Sequence, residues 1–270
     1  MTGKTIGIIG CGNMGEALIS RLTGKFDKKM SLIASDLDIE RMGSIQKKYN
    51  VRIEESNSHL VQQSDIVILA IKPKDFDNVL KEDVMAFMTE DKILISIAAG
   101  ITTKFIEGIV GKDTKVLRVM PNMAAFVGEA ISTVSKGISA RDEEIVTAKE
   151  IFSVLGDVVE VKEDLVDSIT AIAGSGPAYF FYFIQALIEA AKGLGLDEEL
   201  AKRLVLKTAL GSVKLLEILK EEPEALIKKV ASKGGTTESA LKVFESKGLK
   251  RIVKDACHEA QKRAKEISGR

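Results

Sequence analysis

The sequence predicts an α/β protein with an N-terminal doubly wound (Rossmann-type) parallel sheet domain followed by an all-helical domain. Six short apolar runs, rich in β-branched residues, occupy the first 165 or so residues, at 5–10, 31–36, 65–71, 92–99, 115–121 and 157–161. Most do not alternate with polar residues, which is typical of strands buried on both faces of a parallel sheet. A glycine-rich turn follows the first run, and strand signals stop near residue 165.

Helices are predicted between the runs and throughout the second half. Strands that alternate with amphipathic segments, here 38–49, 75–88 and 141–154, indicate a sheet covered on both faces. Later, apolar residues recur at helical spacing over 177–194, 197–220, 223–231 and 236–267, and the helix ends are marked by Gly193, Gly195, Pro223 and Gly248. The sequence therefore predicts two domains, 1–165 and 166–270, joined without a Pro- or Ser-rich linker.

Composition excludes several classes of function. Lys+Arg and Asp+Glu both total 39, so no basic excess favours a nucleic-acid or anionic-membrane partner. We find no signal peptide and no uninterrupted apolar stretch of bilayer-spanning length, so no membrane association is expected. Two cysteines, Cys11 and Cys257, and two histidines, His59 and His258, do not form a disulfide framework or a metal-ligand spacing. We expect a cytoplasmic protein with no metal site.

The turn after the first run matches a dinucleotide fingerprint. Gly10 makes the tight turn, Gly12 lets the backbone approach a pyrophosphate, and Gly15 permits close packing of the helix that opens at residue 13. Phosphates at that helix start would contact the following residues: Ile9, Gly10, Cys11, Gly12, Asn13 and Met14. Cys11 is interpreted as a small filler rather than a nucleophile, since no base accompanies it.

The coenzyme's phosphate state stays open at this point. Asp36 lies 21 residues beyond Gly15, where an acidic residue usually accepts hydrogen bonds from ribose hydroxyls and favours NADH. Ser35 and Arg41 could instead hold the 2′-phosphate of NADPH. A third reading makes Asp36 or Asp38 the cap of the next helix.

Other predicted strand ends carry further coenzyme candidates, because ligands of open α/β sheets lie beyond the carboxyl ends of the strands. These candidates are Asn57, Ala70, Ile71, Lys72, Pro73 and Ala99. Lys72 is read either as a partner for phosphate or substrate charge or as a solvated lysine at a helix start. Asn57 is read either as a coenzyme contact or as a helix N-cap.

Two features of the helical half ask for explanation. Residues 231–240, ASKGGTTESA, are either an ordinary loop or a cradle of N–H groups and hydroxyls at the start of a helix over 236–246, whose positive end favours an anion. Helices 177–194 and 197–220 are apolar on more than one face, which indicates burial by a second subunit.

Together, five motifs make the chain resemble pyrroline-5-carboxylate reductases from about residue 5 to 265. They are GCGNM at 10–14, KP at 72–73, MPN at 120–122, GSGPAY at 174–179 and GGTTESAL at 234–241. The chain departs from the family pattern at Gly15 (commonly Ala), at Met123-Ala124 (usually Thr-Pro) and at Lys233 (usually Pro).

The resemblance implies NADPH- or NADH-dependent reduction of the cyclic imine 1-pyrroline-5-carboxylate to proline. It implies that Pro121 and Asn122 lie near the nicotinamide and that Thr237 hydrogen-bonds the ring nitrogen. The implied substrate contacts are Glu163, Ser232, Gly234, Gly235, Thr236 and Thr237. It also implies a homodimer with interleaved helices, the cradle of one chain near its partner's nucleotide domain, and further assembly of dimers towards a decamer.

Three rival readings remain. β-Hydroxyacid dehydrogenases share the two-domain plan, but they carry a lysine four residues after the second glycine of GSG, where this chain has Phe180. Without that base an alcohol dehydrogenase would be crippled. A reductase of a related cyclic imine and a non-catalytic nucleotide-binding redox sensor are the other two, and the intact GGTT motif speaks against the sensor.

Overall fold

The computed structural model describes residues 3–25 and 31–269, and these residues form one eight-stranded sheet followed by a run of helices. The strands are β1 Thr5–Ile9, β2 Ser31–Ser35, β3 Arg52–Ile53, β4 Ile66–Leu69, β5 Ile93–Ser96, β6 Lys115–Met120, β7 Ala130–Lys136 and β8 Gly156–Glu160. Their order across the sheet is β3-β2-β1-β4-β5-β6-β7-β8. The first six strands therefore follow the order of a dinucleotide-binding sheet, which confirms the predicted fold class.

Helices cover the sheet and then continue alone. They are α1 Asn13–Lys25, α2 Ile39–Tyr49, α3 Asn57–Gln63, α4 Phe76–Val79, α5 Thr103–Val110, α6 Asp142–Phe152, α7 Val166–Ile169, α8 Gly176–Gly193, α9 Glu198–Leu219, α10 Pro223–Val230, α11 Thr236–Ser246 and α12 Leu249–Ile267. Short 3₁₀ turns occupy Pro73–Asp75, Met85–Phe87, Met123–Val127 and Glu163–Leu165, and π turns occupy Leu80–Val84 and Thr170–Gly174.

The far edge of the sheet corrects the expectation of a purely parallel sheet. Strand β7 pairs antiparallel with β6, and β8 pairs parallel with β7. The six apolar runs do not include β7, because its segment AISTVSK mixes serine and threonine with apolar residues. Strand β3 has two residues, too few for a hydrophobic pattern.

Two apolar layers explain why the central strands read as continuous apolar runs. Ile6 and Ile8 of β1 and Ile66 and Ile68 of β4 belong to one buried cluster, while the alternate residues Ile9, Val67 and Leu69 belong to the other. Successive side chains of a strand point to opposite faces, so a strand covered by helices on both sides needs apolar residues at every position.

The described chain divides into two compact units. One contains residues up to Ser175 together with those from Ala260 onward, and the other spans Gly176–Glu259. Within the second unit α8 packs against α9, and Phe183 and Phe244 approach each other with ring centroids 6.4 Å apart. Helices α11 and α12 are separated at Gly248, whose φ of 69° lies in the left-handed region that glycine favours.

One helical stretch corrects the expectation that no segment could span a bilayer. Residues Glu163–Gly193 are long and apolar enough to do so by length and composition, and 11% of the most apolar window is buried. The interruption at Gly174-Ser175-Gly176 hid this stretch in the sequence, because the structure continues helical turns through it.

A lysine fastens the end of α3 to the sheet. The Nζ of Lys92 donates to the carbonyl oxygens of Val61, Gln62 and Ser64, at 2.8, 3.1 and 2.5 Å. Carbonyls at a helix C-terminus lack partners within the helix, so a cation there both satisfies them and complements the helix dipole.

We expect Lys92→Met to lower the free energy of unfolding by roughly 1.5–3 kcal/mol, since hydrogen bonds to a charged group are lost. Lys81→Met is the matched control, because Lys81 forms an exposed ion pair with Asp77, a type of pair worth about 0.5 kcal/mol. Urea unfolding of both variants measures the difference. Equal losses would show that the Lys92 contacts do not stabilise the fold.

Candidate functional site

The predicted coenzyme residues meet at one edge of the sheet. Ile9, the last residue of β1, is in register with Ser35 on one side and with Leu69 on the other, and Leu69 is in register with Ser96. Because these strands are parallel, the residues that follow them lie along the same edge. The structure thus brings together the ends of β1, β2, β4 and β5, as the sequence predicts.

The glycine turn is shaped by two close approaches. Gly10 has a φ of 102°, and a Cβ there would lie 2.6 Å from the carbonyl oxygen of Ala70. A Cβ on Gly15 would lie 2.0 Å from the carbonyl oxygen of Gly10. Atoms this close overlap, so helix α1 reaches the turn only because residue 15 has no side chain.

The start of α1 is open in the way that a phosphate site requires. A Cβ on Gly12 would meet only Arg41 Nη1, at 4.0 Å, and the Gly12 carbonyl accepts from the N–H of Glu16. In the described part of the chain, no acceptor pairs with the backbone N–H groups of Gly12, Asn13 or Met14. These groups, at the positive end of a helix, can bind an anion.

Asp36 closes the turn from the neighbouring strand. Its Oδ2 accepts from the Cys11 N–H at 2.6 Å, and its Oδ1 accepts from the Asp38 N–H at 3.0 Å. Burial, and then the charge of Asp36, raise the pKa of the Cys11 thiol to about 12. A buried thiol with such a pKa is not a thiolate at neutral pH, in agreement with the reading of Cys11 as a filler.

The helix caps decide two of the alternatives left open above, since Asp38 does cap the helix after β2 and Asn57 does not cap α3. Helix α2 is capped by Asp38, whose carboxylate accepts from the Arg41 N–H, and α3 is capped by Ser56. Asn57 is therefore the first residue of α3 and not its N-cap. Its Oδ1 accepts from the Ser35 hydroxyl at 2.8 Å and its Nδ2 donates to Asp83 at 2.9 Å.

The segment after β4 starts a 3₁₀ turn at the same edge. Ala70 and Ile71 are half-buried, whereas Lys72 is exposed and precedes Pro73, the first residue of the turn. The Ala70 N–H donates to the Ile9 carbonyl at 2.8 Å, which places this segment against the glycine turn. Both readings of Lys72 are compatible with its exposure.

The loop after β5 is held by the last turn of the chain. Ala99 is half-buried, and Gly100 follows with a φ of 78°. A Cβ on Gly100 would lie 2.3 Å from Cγ2 of Ile267, so the C-terminal end of α12 occupies that space.

After β6, Pro121 is buried and Asn122 is bonded on both sides of its amide. Asn122 Nδ2 donates to the Ala173 carbonyl at 3.1 Å, and its Oδ1 accepts from the Ala124 N–H at 3.2 Å. A proline at position 124, usual in the family that the sequence resembles, has no N–H to make this bond. The MPN motif is thereby tied to the segment that carries GSG.

Glu163 belongs to a buried ionic cluster that sequence reasoning missed. Its oxygens accept from the N–H and the hydroxyl of Thr103, at 2.8 and 2.6 Å, and it lies 3.4 Å from Arg118. Arg118 is fully buried and also lies 3.7 Å from Asp167, which accepts from the Ser268 hydroxyl. The sequence feature that could have revealed this cluster is the arginine inside the apolar run 115–121, because a buried charge needs opposite charges around it.

Residues 232–237 form a turn that leads into α11. The Gly235 N–H donates to the Ser232 carbonyl at 3.0 Å, and Gly234 has a φ of 75°, as the third position of a type II turn requires. Lys233 occupies the second position, where proline is favoured, which explains the family's usual residue. A Cβ on Gly235 would lie 2.6 Å from the Ser232 hydroxyl.

The cradle is not an ordinary capped helix start. Gly235 is the N-cap, no side chain caps the helix, and Thr236 and Thr237 are its first two residues. Neither threonine is therefore the N-cap of α11. Among the residues that the structure describes, none accepts from the N–H of Thr236 or Thr237, so both groups are available to an anion.

Glu238 braces the cradle from inside the first turn of α11. Its carboxylate accepts from the Gly234 N–H at 2.9 Å and lies 3.3 Å from Lys242. The hydrogen bond from Gly234, and then Lys242, hold the pKa of Glu238 below its usual value. The deprotonated carboxylate thus fixes the left-handed conformation of Gly234.

For the glycine turn we expect Gly15→Ala to destabilise the protein by about 1–3 kcal/mol, the typical cost of forcing an extra carbon into a packed contact. Gly24→Ala is the matched control in the same helix, because nothing lies within 4 Å of its Cβ position. It should stabilise the helix by about 0.5–1 kcal/mol. Thermal or urea unfolding separates the two, and a neutral Gly15→Ala would mean that α1 can move away from the turn.

For the cradle we expect pH-dependent bracing by Glu238. A carboxylate with a lowered folded pKa contributes stability above its unfolded pKa, and that contribution disappears as the pH falls through the folded pKa. Glu238→Gln should therefore be less stable than wild type at about pH 7, and the difference should shrink as the pH falls below the range in which an ordinary carboxyl group titrates. Urea titrations across this range measure the difference, and one that does not change with pH would contradict the ionic contact.

Two protein-family models match the chain. The model for pyrroline-5-carboxylate reductase dimerisation matches residues 163–267, which include Glu163 and Asp167 of the ionic cluster, the GSG segment and the cradle. The model for NADP oxidoreductase, coenzyme F420-dependent, matches residues 5–100, which include the glycine turn and Asp36.

Full-length relatives carry the same description. The chain is 35% identical to pyrroline-5-carboxylate reductase 2 of Bacillus subtilis, over 98% of this chain and 95% of the relative. It is 36% identical to pyrroline-5-carboxylate reductase of Methanosarcina acetivorans, over 99% of each. The crystal structure of Plasmodium falciparum pyrroline carboxylate reductase with NADP bound is 30% identical and superposes with a TM-score of 0.89 over 99% of each chain. This chain belongs to the pyrroline-5-carboxylate reductase family.

Proposed function

We propose that the protein reduces 1-pyrroline-5-carboxylate to L-proline, the last step of proline biosynthesis, with a hydride from NADPH or NADH. The observation that carries this proposal is that two helices, those that follow Gly12 and Gly235, begin with N–H groups that have no acceptor among the described residues. The relatives of this chain over nearly their full length are pyrroline-5-carboxylate reductases.

The residues at the sheet edge fit a nicotinamide dinucleotide. Pyrophosphate would be held by the N–H groups of Gly12, Asn13 and Met14, since these groups have no acceptor among the described residues and lie at a helix start. We propose that the coenzyme contacts are Ile9, Gly10, Cys11, Gly12, Asn13, Met14, Ser35, Asp36, Asn57, Ala70, Ile71, Lys72, Pro73, Ala99, Pro121 and Asn122.

The cradle fits the carboxylate of the substrate. The N–H groups of Thr236 and Thr237 lie in the first turn of an eleven-residue helix, and two glycines precede them, Gly234 with a φ of 75° and Gly235 with its Cβ position against the Ser232 hydroxyl. We propose substrate contacts at Ser232, Gly234, Gly235, Thr236 and Thr237. Glu163 is proposed as a further contact, although both its oxygens already bind Thr103.

The reaction requires little acid–base catalysis by the protein's side chains. When bound, NADPH or NADH supplies the hydride that adds to the C=N carbon. The cradle holds the carboxylate and orients the ring, while the Thr237 hydroxyl accepts a hydrogen bond from the ring nitrogen. A protonated imine is already electrophilic, and the neutral amine that hydride addition leaves takes up its second proton from water, so orientation and charge complementarity suffice.

We propose that the helical half forms a homodimer and that dimers assemble further, up to a decamer. Large apolar side chains on α8 and α9 are exposed in the single chain, among them Phe180 at 67%, Tyr182 at 76% and Ile218 at 74%. Exposed apolar surface of this extent is typical of subunit interfaces. The same contact would cover the apolar stretch Glu163–Gly193 without a membrane, as suits a cytoplasmic enzyme. The dimerisation model begins at 163, which supports a division into domains near residue 165.

Thr237→Ala is the sharpest test of the cradle. We expect kcat/KM for pyrroline-5-carboxylate to fall roughly 10- to 100-fold, since a hydrogen bond to a charged group is worth about 1.5–3 kcal/mol. Oxidation of NADPH and NADH, followed by loss of reduced-nicotinamide absorbance, gives the rates, and Thr237→Ser should restore most of the activity. Coenzyme affinity should not change.

Ser246→Ala is the matched control, because this hydroxyl lies at the other end of α11 and bonds only locally, to the Val243 carbonyl. It should keep wild-type rates. Tight coenzyme binding without imine turnover in the wild-type protein would overturn the reductase proposal and favour a nucleotide sensor. Full activity of Thr237→Ala would refute only the proposed role of Thr237 and would leave the reductase proposal in place.

A further inference from the structure

The adenosine end of the proposed coenzyme site contains a carboxylate that the structure fixes in place. Asp36 follows β2, is half-buried, and has one hydrogen bond on each oxygen, from the Cys11 and Asp38 N–H groups. A carboxylate offers about four acceptor positions, so each oxygen can accept one more hydrogen bond. The side chain is therefore held ready beside the glycine turn and still has acceptor capacity.

The chemistry of this carboxylate distinguishes the two coenzymes. The adenosine ribose of NADH presents two hydroxyl donors, and a charged acceptor forms strong hydrogen bonds with such donors. NADPH replaces one hydroxyl by a phosphate that carries about 1.5–2 negative charges near neutral pH. Beside a fixed carboxylate, that phosphate meets like charge, so it needs a cationic partner to offset the repulsion.

Arg41 is the opposing feature, and its surroundings are acidic. Its Nη1 lies 4.0 Å from the Cβ position of Gly12, close enough to reach a phosphate at the turn. Arg41 is exposed, whereas Asp36 is half-buried and bonded on both oxygens. The segment 36–41 contains three carboxylates, on Asp36, Asp38 and Glu40, against this one guanidinium. The fixed charge at the ribose position is negative.

Two exposed apolar side chains flank Asp36. Leu37 is 91% exposed and Ile39 is 75% exposed, although both lie in the loop and first turn that follow β2. Apolar side chains that project beside a ribose site can cover the face of an adenine ring. Their exposure in the protein alone is consistent with a ligand surface at this loop.

We propose that Asp36 makes this protein selective for NADH over NADPH, by accepting hydrogen bonds from the adenosine ribose hydroxyls and by repelling a 2′-phosphate. This inference rests on the proposed function, since it concerns the same coenzyme site. It adds a specificity-determining residue to that site and makes Arg41 dispensable for coenzyme binding.

Direct binding tests the proposal without catalysis. The reduced-nicotinamide fluorescence of NADH and NADPH, titrated with the full-length protein, gives both dissociation constants. We expect wild type to bind NADH at least about tenfold more tightly, the order of one hydrogen bond to a charged group. Asp36→Ser should weaken NADH binding about tenfold and tighten NADPH binding by a similar factor.

Three companion variants separate the causes. Asp36→Asn keeps an acceptor for the Cys11 N–H, loses the one for the Asp38 N–H and removes the charge, so it should relax the discrimination while keeping the bond that closes the turn. Glu40→Gln removes one negative charge from the same segment, and we expect the NADH preference to remain. Arg41→Ala should leave the dissociation constant of NADH unchanged within about twofold, a smaller change than the loss of a typical hydrogen bond would cause. Urea unfolding of each variant checks that the fold is intact.

Several outcomes would overturn the inference. Tighter binding of NADPH by wild type would do so, above all if Arg41→Ala abolished it, because Arg41 would then select the phosphate. A folded Asp36→Ser variant with unchanged preference would also do so. NADH-selective binding without any imine turnover would support the role of Asp36 while refuting the proposed function, so the two failures are distinguishable.

Discussion

The coenzyme edge depends on the packing of α1 against the turn that precedes it. Because Gly15 lacks a side chain, the helix begins directly above the Gly10 carbonyl, with a Cβ position only 2.0 Å from that oxygen. Among the described residues, the N–H groups of Gly12, Asn13 and Met14 at the start of α1 have no acceptor. The same turn places the Cys11 N–H where the Asp36 carboxylate accepts from it, at 2.6 Å. The missing side chain of Gly15 therefore sets the geometry of both the proposed phosphate site and the proposed ribose site.

Much of this site could be predicted from the sequence, because its signals are local. Buried strands read as continuous apolar runs, the glycine spacing marks the turn, and the Gly-Gly pair marks the cradle. The features that were missed depend on contacts between distant segments. The direction of β7 follows from its pairing with β6, which no pattern within AISTVSK reports. The buried position of Arg118 depends on Glu163 and Asp167, 45 and 49 residues later, and the capping of α3 by Ser56 rather than by Asn57 depends on Asn57 bonding Ser35 instead.

The ionic cluster around Arg118, a residue that the sequence did not single out, holds the predicted site residue Glu163 in place. Glu163 bonds the start of α5 through Thr103, and Asp167 bonds Ser268, next to the Ile267 side chain that packs on Gly100. The loop after β5 is therefore fixed at both ends, by the start of α5 and by the last turn of the chain. A buried charge is costly unless its partners are held in place. The cluster thus couples the order of the C-terminal turn to the loop that carries Ala99.

Both proposed ligand sites use a helix start that no side chain occupies. Asp38, Ser56, Thr102 and Asp197 each accept a backbone N–H in the first turn of α2, α3, α5 and α9, and such a cap consumes a donor that a ligand could use. Gly12 and Gly235 stand at the corresponding positions before α1 and α11, and neither has a side chain to offer. Glycine at an N-cap costs only a few tenths of a kcal/mol relative to a capping side chain. The chain thus keeps two sets of N–H donors free at little cost in stability, one at the proposed pyrophosphate site and one at the proposed carboxylate site.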